Sequence, residues 1–141
     1  MSLYNIFNIA GSGMSAQTTR LNIVASNLAN ADTVSSSSGE TYRARSPVFA
    51  AAMQDAMNMQ NASSPSAGVR VLGVIESQAP LQQEYQPNHP MANDEGYIFK
   101  PNVNTIEEMA NMMSASRTYQ NNVEMLNTAK QLLQQTLRIG Q

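Results

Sequence analysis

The sequence predicts an α+β fold: a long N-terminal helix and a long C-terminal helix pair as a coiled coil, with a small antiparallel β-rich segment inserted between them. Near the N-terminus, apolar or small residues recur every seven positions in two columns: Phe7, Met14, Leu21 and Leu28, and Leu3, Ala10, Val24 and Ala31. Near the C-terminus a similar spacing returns in Met109, Val123 and Leu137, and in Met112, Tyr119, Leu126 and Leu133. This spacing is typical of a helix face that packs on another helix.

The chain divides into an N-terminal helical segment (1–33), an intermediate β-rich segment (34–101) with a variable loop at 50–67, and a C-terminal helix (102–141). The first helix contains Gly11 and Gly13, and each costs about 1 kcal/mol relative to alanine in a helix interior. Either the helix breaks at these glycines or they let another backbone approach closely. We favour a flexible break in the free chain that straightens on assembly.

Short β-prone runs lie in the intermediate segment. The clearest predicted strand is 69–75, and further strands are expected at 41–45, 81–86 and 97–99, which together fit a small antiparallel sheet. Two turns of helix are possible at 53–60, and disorder is as plausible for 61–67.

The start of the last helix has a clear signal. Pro101 precedes it, Asn104 can cap it, and Glu107 stands three residues later, as in a capping box. We expect about 35 residues of helix, ending at Gly140. The conformational entropy lost on ordering two such helices is close to the free energy gained by burying the apolar residues between them. We therefore expect the terminal helices to be partly disordered alone and to order when several chains pack.

Composition excludes several classes of function. Only 13% of the 141 residues are charged and the net charge is -2, which gives no long-range reason to bind nucleic acid or an anionic membrane. Cysteine is absent, and no apolar run approaches the roughly 20 residues of a membrane span. The N-terminus does not resemble a secretory signal, because its first basic residue is Arg20.

Residues for catalysis are equally scarce. His89 is the only histidine and lies in a predicted turn, so a Ser-His arrangement would depend on one loop residue. The adjacent carboxylates at 94–95 and 107–108 suggest a turn and a helix start rather than acid–base chemistry. We therefore expect no enzyme activity, no cofactor and no metal site.

The segment from Leu21 to Thr33, LNIVASNLANADT, closely resembles the N-terminal signature of the bacterial flagellar axial proteins. The other end is similar to the rod members of that family, and the intermediate segment looks most like the short proximal-rod type. The stretches that carry this second likeness are 77–80, 96–97, 100–104, 108–109, 113–120 and 126–130. The residues at 35–38 and 50–67 do not match the family pattern.

The resemblance implies a fold and a role. In this family the two termini pair as a coiled coil that lines a hollow axial tube, and the intermediate part packs outside it. Subunits leave the cytoplasm through the flagellar type III apparatus without a cleaved signal and assemble helically in the periplasm. The rod transmits motor torque to the hook. The implied partners are copies of the chain, other rod subunits, the basal-body base and the export apparatus.

Carried over by position, the resemblance implies a subunit interface on both terminal helices. Its expected members are Leu21, Val24, Asn27, Leu28, Ala29, Asn30, Met112, Tyr119, Val123, Leu126, Leu133 and Leu137. The alternative for the apolar members is an ordinary core within one chain. Two other functions remain open from the sequence: a cytoplasmic coiled-coil adaptor or export chaperone, and an enzyme built around His89.

Overall fold

Two long helices form the main body of the molecule. A computed structural model describes residues 3–52 and 68–139; helix α1 spans Leu3–Asn30 and helix α2 spans Thr105–Ile139. The helices are antiparallel, because Asn27 lies beside Glu108 whereas Gly13 lies beside Asn122. The predicted pair of terminal helices is therefore confirmed.

Helix α2 begins where its cap predicts. The side-chain oxygen Oδ1 of Asn104 accepts hydrogen bonds from the backbone N–H groups of Ile106, at 3.1 Å, and Glu107, at 3.3 Å. These bonds satisfy donors that have no partner inside the helix. Glu107 and Glu108 lie in the first turn and Arg138 in the last, so all three charges favour the helix dipole. The expected end at Gly140 lies outside the described residues.

The expected break in α1 is wrong, since the helix runs without interruption through Gly11 and Gly13. A Cβ atom at Gly13 would lie 3.0 Å from Nδ2 of Asn122, whereas a Cβ atom at Gly11 would meet nothing within 4 Å. Close approach of the second helix therefore explains Gly13. The structure gives no packing reason for Gly11.

The described part of the intermediate segment, 34–52 and 68–101, forms two separate antiparallel strand pairs rather than the single sheet expected. Strand β1 (Arg45–Ala51) pairs with β2 (Val69–Glu76), and β3 (Gln82–Tyr85) pairs with β4 (Tyr97–Lys100). The predicted strands at 69–75, 81–86 and 97–99 are confirmed. The helix considered at 53–60 lies outside the described residues.

The strand predicted at 41–45 is wrong, because β1 begins only at Arg45. Side chains occupy the hydrogen-bonding groups that a strand would need. The backbone N–H of Ala44 donates to Oδ1 of Asn102 at 2.8 Å, and the backbone N–H of Arg45 donates to Oδ1 of Asn27 at 3.0 Å. This link region is held by side chains of distant elements.

A lysine–glutamate pair joins β3 to β4. The Lys100 ammonium donates to the Glu84 carboxylate, and this bond, followed by one from the Gln86 side-chain amide, lowers the pKa of Glu84 below its ordinary value. Because the folded-state pKa is the lower one, the pair stabilises fully above the ordinary glutamate pKa, and its contribution is lost as the pH falls through the lowered value. The pair is exposed to solvent, so its contribution to stability is small.

The turn before β4 requires a glycine, and this gives a first prediction. Gly96 has a φ of +81°, and a Cβ atom there would lie 2.9 Å from Cε2 of Tyr85. Gly96→Ala should lower the free energy of unfolding by about 1–3 kcal/mol in urea titrations, from backbone strain and this clash. Gly73→Ala is the matched control, since Gly73 lies in β2 with open space around its Cβ position. Equal effects of the two variants would contradict the turn geometry.

Candidate subunit interface

The face on which α1 and α2 meet is built from small and polar side chains. We call this face the seam. Its fully buried members on α1 and α2 are Ala10, Ala16, Val24, Asn27, Ala115 and Ala129. Ala115 and Ala129 are fourteen residues apart, two heptads, and Asn122, half-buried, lies midway between them. The seam thus follows the heptad spacing, but its residues are not the large apolar ones.

The side-chain amide of Asn27 joins three parts of the chain where the C-terminal end of α1 meets the first turn of α2. Asn27, 1% exposed, donates from Nδ2 to the carbonyl of Arg45 at 2.8 Å and to Oε2 of Glu108 at 2.9 Å. Its Oδ1 accepts from the Tyr42 hydroxyl at 2.8 Å and from the backbone N–H of Arg45 at 3.0 Å. We call Asn27, Tyr42, Arg45 and Glu108 the Asn27 cluster. Every donor and acceptor of the amide has a partner, as a buried polar group requires.

A second row of polar contacts extends the Asn27 cluster along the seam. Nδ2 of Asn111 donates to Oε1 of Glu108 at 3.3 Å, and Nη2 of Arg20 donates to Oδ1 of Asn111 at 2.9 Å. Both carboxylate oxygens of Glu108 therefore accept from amides. The Arg20 guanidinium lies one residue further along this chain of hydrogen bonds, so the half-buried carboxylate has a nearby positive charge.

The structure divides the residues predicted for the α1 side of the interface. Val24 and Asn27 are buried within the single chain, which differs from the expected contact with another subunit, because α2 and the link to β1 cover them. Leu21, Leu28 and Asn30 are half-buried, and Ala29 is exposed. These four retain surface that a neighbour could reach.

The residues predicted on α2 lie beside the seam rather than in it. Met112, Val123 and Leu126 are half-buried, and Tyr119, Leu133 and Leu137 are exposed, Leu137 by 65%. We call these six residues the α2 strip. Its heptad column at 112, 119, 126 and 133 runs next to the more deeply buried column at 108, 115, 122 and 129. The strip therefore has one edge against α1 and one edge towards solvent.

Further large apolar residues of α2 are exposed that the sequence analysis did not place in the interface. They are Ile106, Met109, Met113, Met125 and Leu132, with exposed fractions from 50% to 78%. At 100° per residue, Ile106 and Met113 lie on the side of α2 opposite the buried column of the seam, and Met109 lies on the flank, in the same heptad column as Val123 and Leu137. Their helical spacing indicates an apolar face of α2, but it does not show whether that face packs on α1 or lies on the opposite side of the helix.

The enzyme alternative would need a metal site or a histidine placed for catalysis. Across 3–52 and 68–139, no group of His, Asp or Glu side chains is arranged to hold a metal ion. Nδ1 of His89 accepts from the backbone N–H of Met91 at 3.1 Å, which is a contact inside a turn. Neither described helix has a stretch long and apolar enough to cross a membrane.

Comparison with known proteins identifies the family. A family model described as "Flagella basal body rod protein" matches residues 7–34, and one described as "Flagellar basal body rod FlgEFG protein C-terminal" matches residues 94–139. The chain is 50% identical to the flagellar basal-body rod protein FlgC of Salmonella typhimurium, over 100% of both chains. It belongs to the FlgC family of flagellar basal-body rod proteins. The FlgC proteins of Escherichia coli O157:H7 and Buchnera aphidicola subsp. Baizongia pistaciae are 50% and 38% identical to it, again over both full lengths.

Membership of the FlgC family confirms the predicted resemblance and the role of a structural rod subunit. It implies a place in the flagellar basal body and assembly with other rod components. The two matched stretches hold almost all of α1 and α2. Asn27 and Glu108, which meet across the seam, each lie in one of them.

The Asn27 cluster gives a second prediction. Asn27→Asp keeps both acceptor contacts but loses the two donated hydrogen bonds and places a carboxylate against that of Glu108. We expect a loss of about 2–4 kcal/mol in the free energy of unfolding, measured by urea titration followed by circular dichroism. Asn22→Asp, an exposed change on the same helix, should cost less than about 0.5 kcal/mol. If both variants unfold at the parent midpoint, the cluster does not stabilise the fold.

Proposed function

We propose that the chain is a structural subunit of the proximal rod, which assembles helically through its terminal helices into the drive shaft that transmits motor torque. The observation that carries this proposal is the surface of α2. Its own partner α1 covers small and polar residues, and large apolar side chains such as Leu137 and Met109 remain exposed.

The half-buried part of the α2 strip supports this use. Met112 and Leu126 are partly covered by the chain itself, so their positions are fixed before a neighbour arrives. A second helix laid along the strip would cover what remains exposed, as in a bundle of more than two helices. Leu21 and Leu28 on α1 are similarly half-buried and extend the proposed surface to the other helix.

Energetics point the same way. Burying a Leu or Met side chain completely stabilises by about 1.5–3 kcal/mol, and in the single chain the seam buries mainly alanines. The pair of helices therefore gains little apolar stabilisation on its own. Contacts between subunits would add apolar stabilisation to the helix pair on assembly.

The difference between the two helices supports an open assembly over a closed dimer. Of the two helices, α2 has exposed large apolar residues, whereas Asn8, Ser15, Thr18, Asn22, Ala25 and Ala29 give α1 a small or polar exposed face. A contact between the α2 strip of one copy and a different surface of the next is heterologous. Repeated heterologous contacts produce helical arrays when the rotation does not close.

The proposal includes the finer partners and route that the resemblance implies. We propose contacts with copies of the chain, with other rod subunits and with the basal-body base. We also propose passage through the flagellar export apparatus without a cleaved signal peptide and residence in the periplasmic rod. The units 1–33, 34–101 and 102–141 serve here as assembly helix, outer segment and assembly helix.

A charge at the tip of the α2 strip tests the proposal. Leu137→Asp should leave the stability of the free chain almost unchanged, because Leu137 is exposed. In the rod the aspartate would be buried without a partner, at a cost of several kcal/mol. We expect complementation of a strain lacking the rod protein to fail in swimming assays, with normal cellular levels of the chain.

Gln135→Asp is the matched control, since it puts the same charge on an exposed position of the same turn. It should swim like the parent. Normal swimming of Leu137→Asp would contradict burial of the strip in the rod. Loss of swimming in both variants would trace the defect to charge in this turn and not to the strip.

A further inference from the structure

The buried column of the seam offers similar apolar packing at successive heptads. In α2 the positions 108, 115, 122 and 129 are Glu, Ala, Asn and Ala, and the buried residues of α1 are Ala10, Ala16, Val24 and Asn27, none of them a large aliphatic or aromatic residue. Sliding one helix by a heptad, about 10 Å, would exchange alanine and polar partners without breaking contacts between large apolar side chains in this column. Apolar packing therefore discriminates weakly between registers of this pair.

One sliding step also offers a competing polar contact. Gly13 lies beside Asn122 and Asn27 beside Glu108. A shift of seven residues in one direction would place Gly13 beside Ala115 and the Arg20 guanidinium beside Glu108, which is an opposite-charge pair. A shift in the other direction would place Gly13 beside Ala129 and Asn27 beside Ala115.

We propose that Asn27 selects the register of α1 against α2 and is thus a positioning residue for the assembled face of the subunit. Only in the observed register does the amide find Glu108 on α2 together with Tyr42 before β1 and Arg45 at its start. In either shifted register it loses Glu108, which leaves a buried donor without a partner. A single polar residue in a helix seam fixes register in this manner because its misplacement is costly.

The register has a consequence for the surface. The intermediate segment is attached to α1 through the Asn27–Arg45 hydrogen bonds and through the Ser12 hydroxyl, which accepts from the backbone N–H of Val69 at 3.1 Å. The α2 strip belongs to the other helix. Asn27 therefore sets where the strip lies relative to β1 and β2, which is a property of the single chain and is separate from the proposed rod function.

Engineered cysteines can measure the register directly, because the natural chain has none. A Cβ atom at Gly13 lies 3.5 Å from Cγ of Asn122, so Gly13→Cys with Asn122→Cys is within disulfide reach in the observed register. Gly13→Cys with Ala115→Cys, and Gly13→Cys with Ala129→Cys, report the two shifted registers, each combined with Asn122→Ala so that the Cβ atom at position 13 does not clash with Asn122 in the observed register. Each pair is placed in the full-length chain and oxidised in a glutathione buffer, and the disulfide fraction is quantified by mass spectrometry.

In the parent background we expect the 13–122 disulfide to dominate. Asn27→Leu, which puts an apolar side chain of similar size in place of the amide, should raise the ratio of shifted to native disulfide by about tenfold. Glu108→Leu removes the partner on α2 and also the competing Arg20 contact of the 13–115 register, so it should raise the 13–129 disulfide. Glu108→Gln, which still accepts from Asn27, should keep the parent ratio, as should Val24→Ala, which truncates a buried seam residue that makes no polar contact.

Several results would overturn the proposal. The parent ratio in both Asn27→Leu and Glu108→Leu would mean that other contacts hold the register. A parent ratio in Asn27→Leu together with a shift in Asn102→Ala would assign it to the Asn102–Ala44 hydrogen bond. Loss of helical circular dichroism in Asn27→Leu and Glu108→Leu, or no 13–122 disulfide in the parent, would also contradict selection among paired registers.

Discussion

The hydrogen bonds of the buried Asn27 amide are the constraint on which the rest of this structure depends. An amide removed from water must have its donors and acceptors paired, because an unpaired one costs more than a typical hydrogen bond contributes. Here the partners come from three places in the chain: the link before β1, β1 itself and the first turn of α2. The amide thereby holds both terminal helices and the start of the intermediate segment at one point.

A polar contact at the centre of the fold leaves the apolar residues for other uses. The seam of α1 and α2 is built mainly from alanines, amides and one carboxylate, and Gly13 lets the helices approach closely beside Asn122. The methionines and leucines of α2 therefore point to the flank and the back of the pair. Polar contacts thus hold the two helices together, and apolar surface remains on α2 for contacts with neighbouring chains. This division suits a subunit of a packed rod.

Sequence patterns predicted where the helices and most strands lie better than they predicted which face of each helix is buried. Asn104 marked the start of α2 because a side-chain cap is a local signal, and the β-branched residues of 69–75 marked β2. The proposed strand at 41–45 failed because the decisive partner of Ala44 is Asn102, far away in sequence. No local pattern contains that contact.

The face of α2 that packs on α1 was not predicted, for the same reason. Two heptad columns run side by side on α2, one of large residues through Leu126 and one of small and polar residues through Ala115, and periodicity alone favours the larger. Helix pairing in the structure uses the small column, because Glu108 and Asn122 in it meet Asn27 and Gly13. Asn27 itself was singled out by resemblance, but its role within the chain became visible only with Tyr42, Arg45 and Glu108 around it.

The central claim, that this chain is a structural subunit of the flagellar rod, is tested most directly by counting it in the organelle. Quantitative mass spectrometry of detergent-purified basal bodies should find the chain at a fixed ratio to other rod subunits. Its absence from basal bodies, together with recovery of the chain in the cytosol, would contradict the account and favour an adaptor or export chaperone.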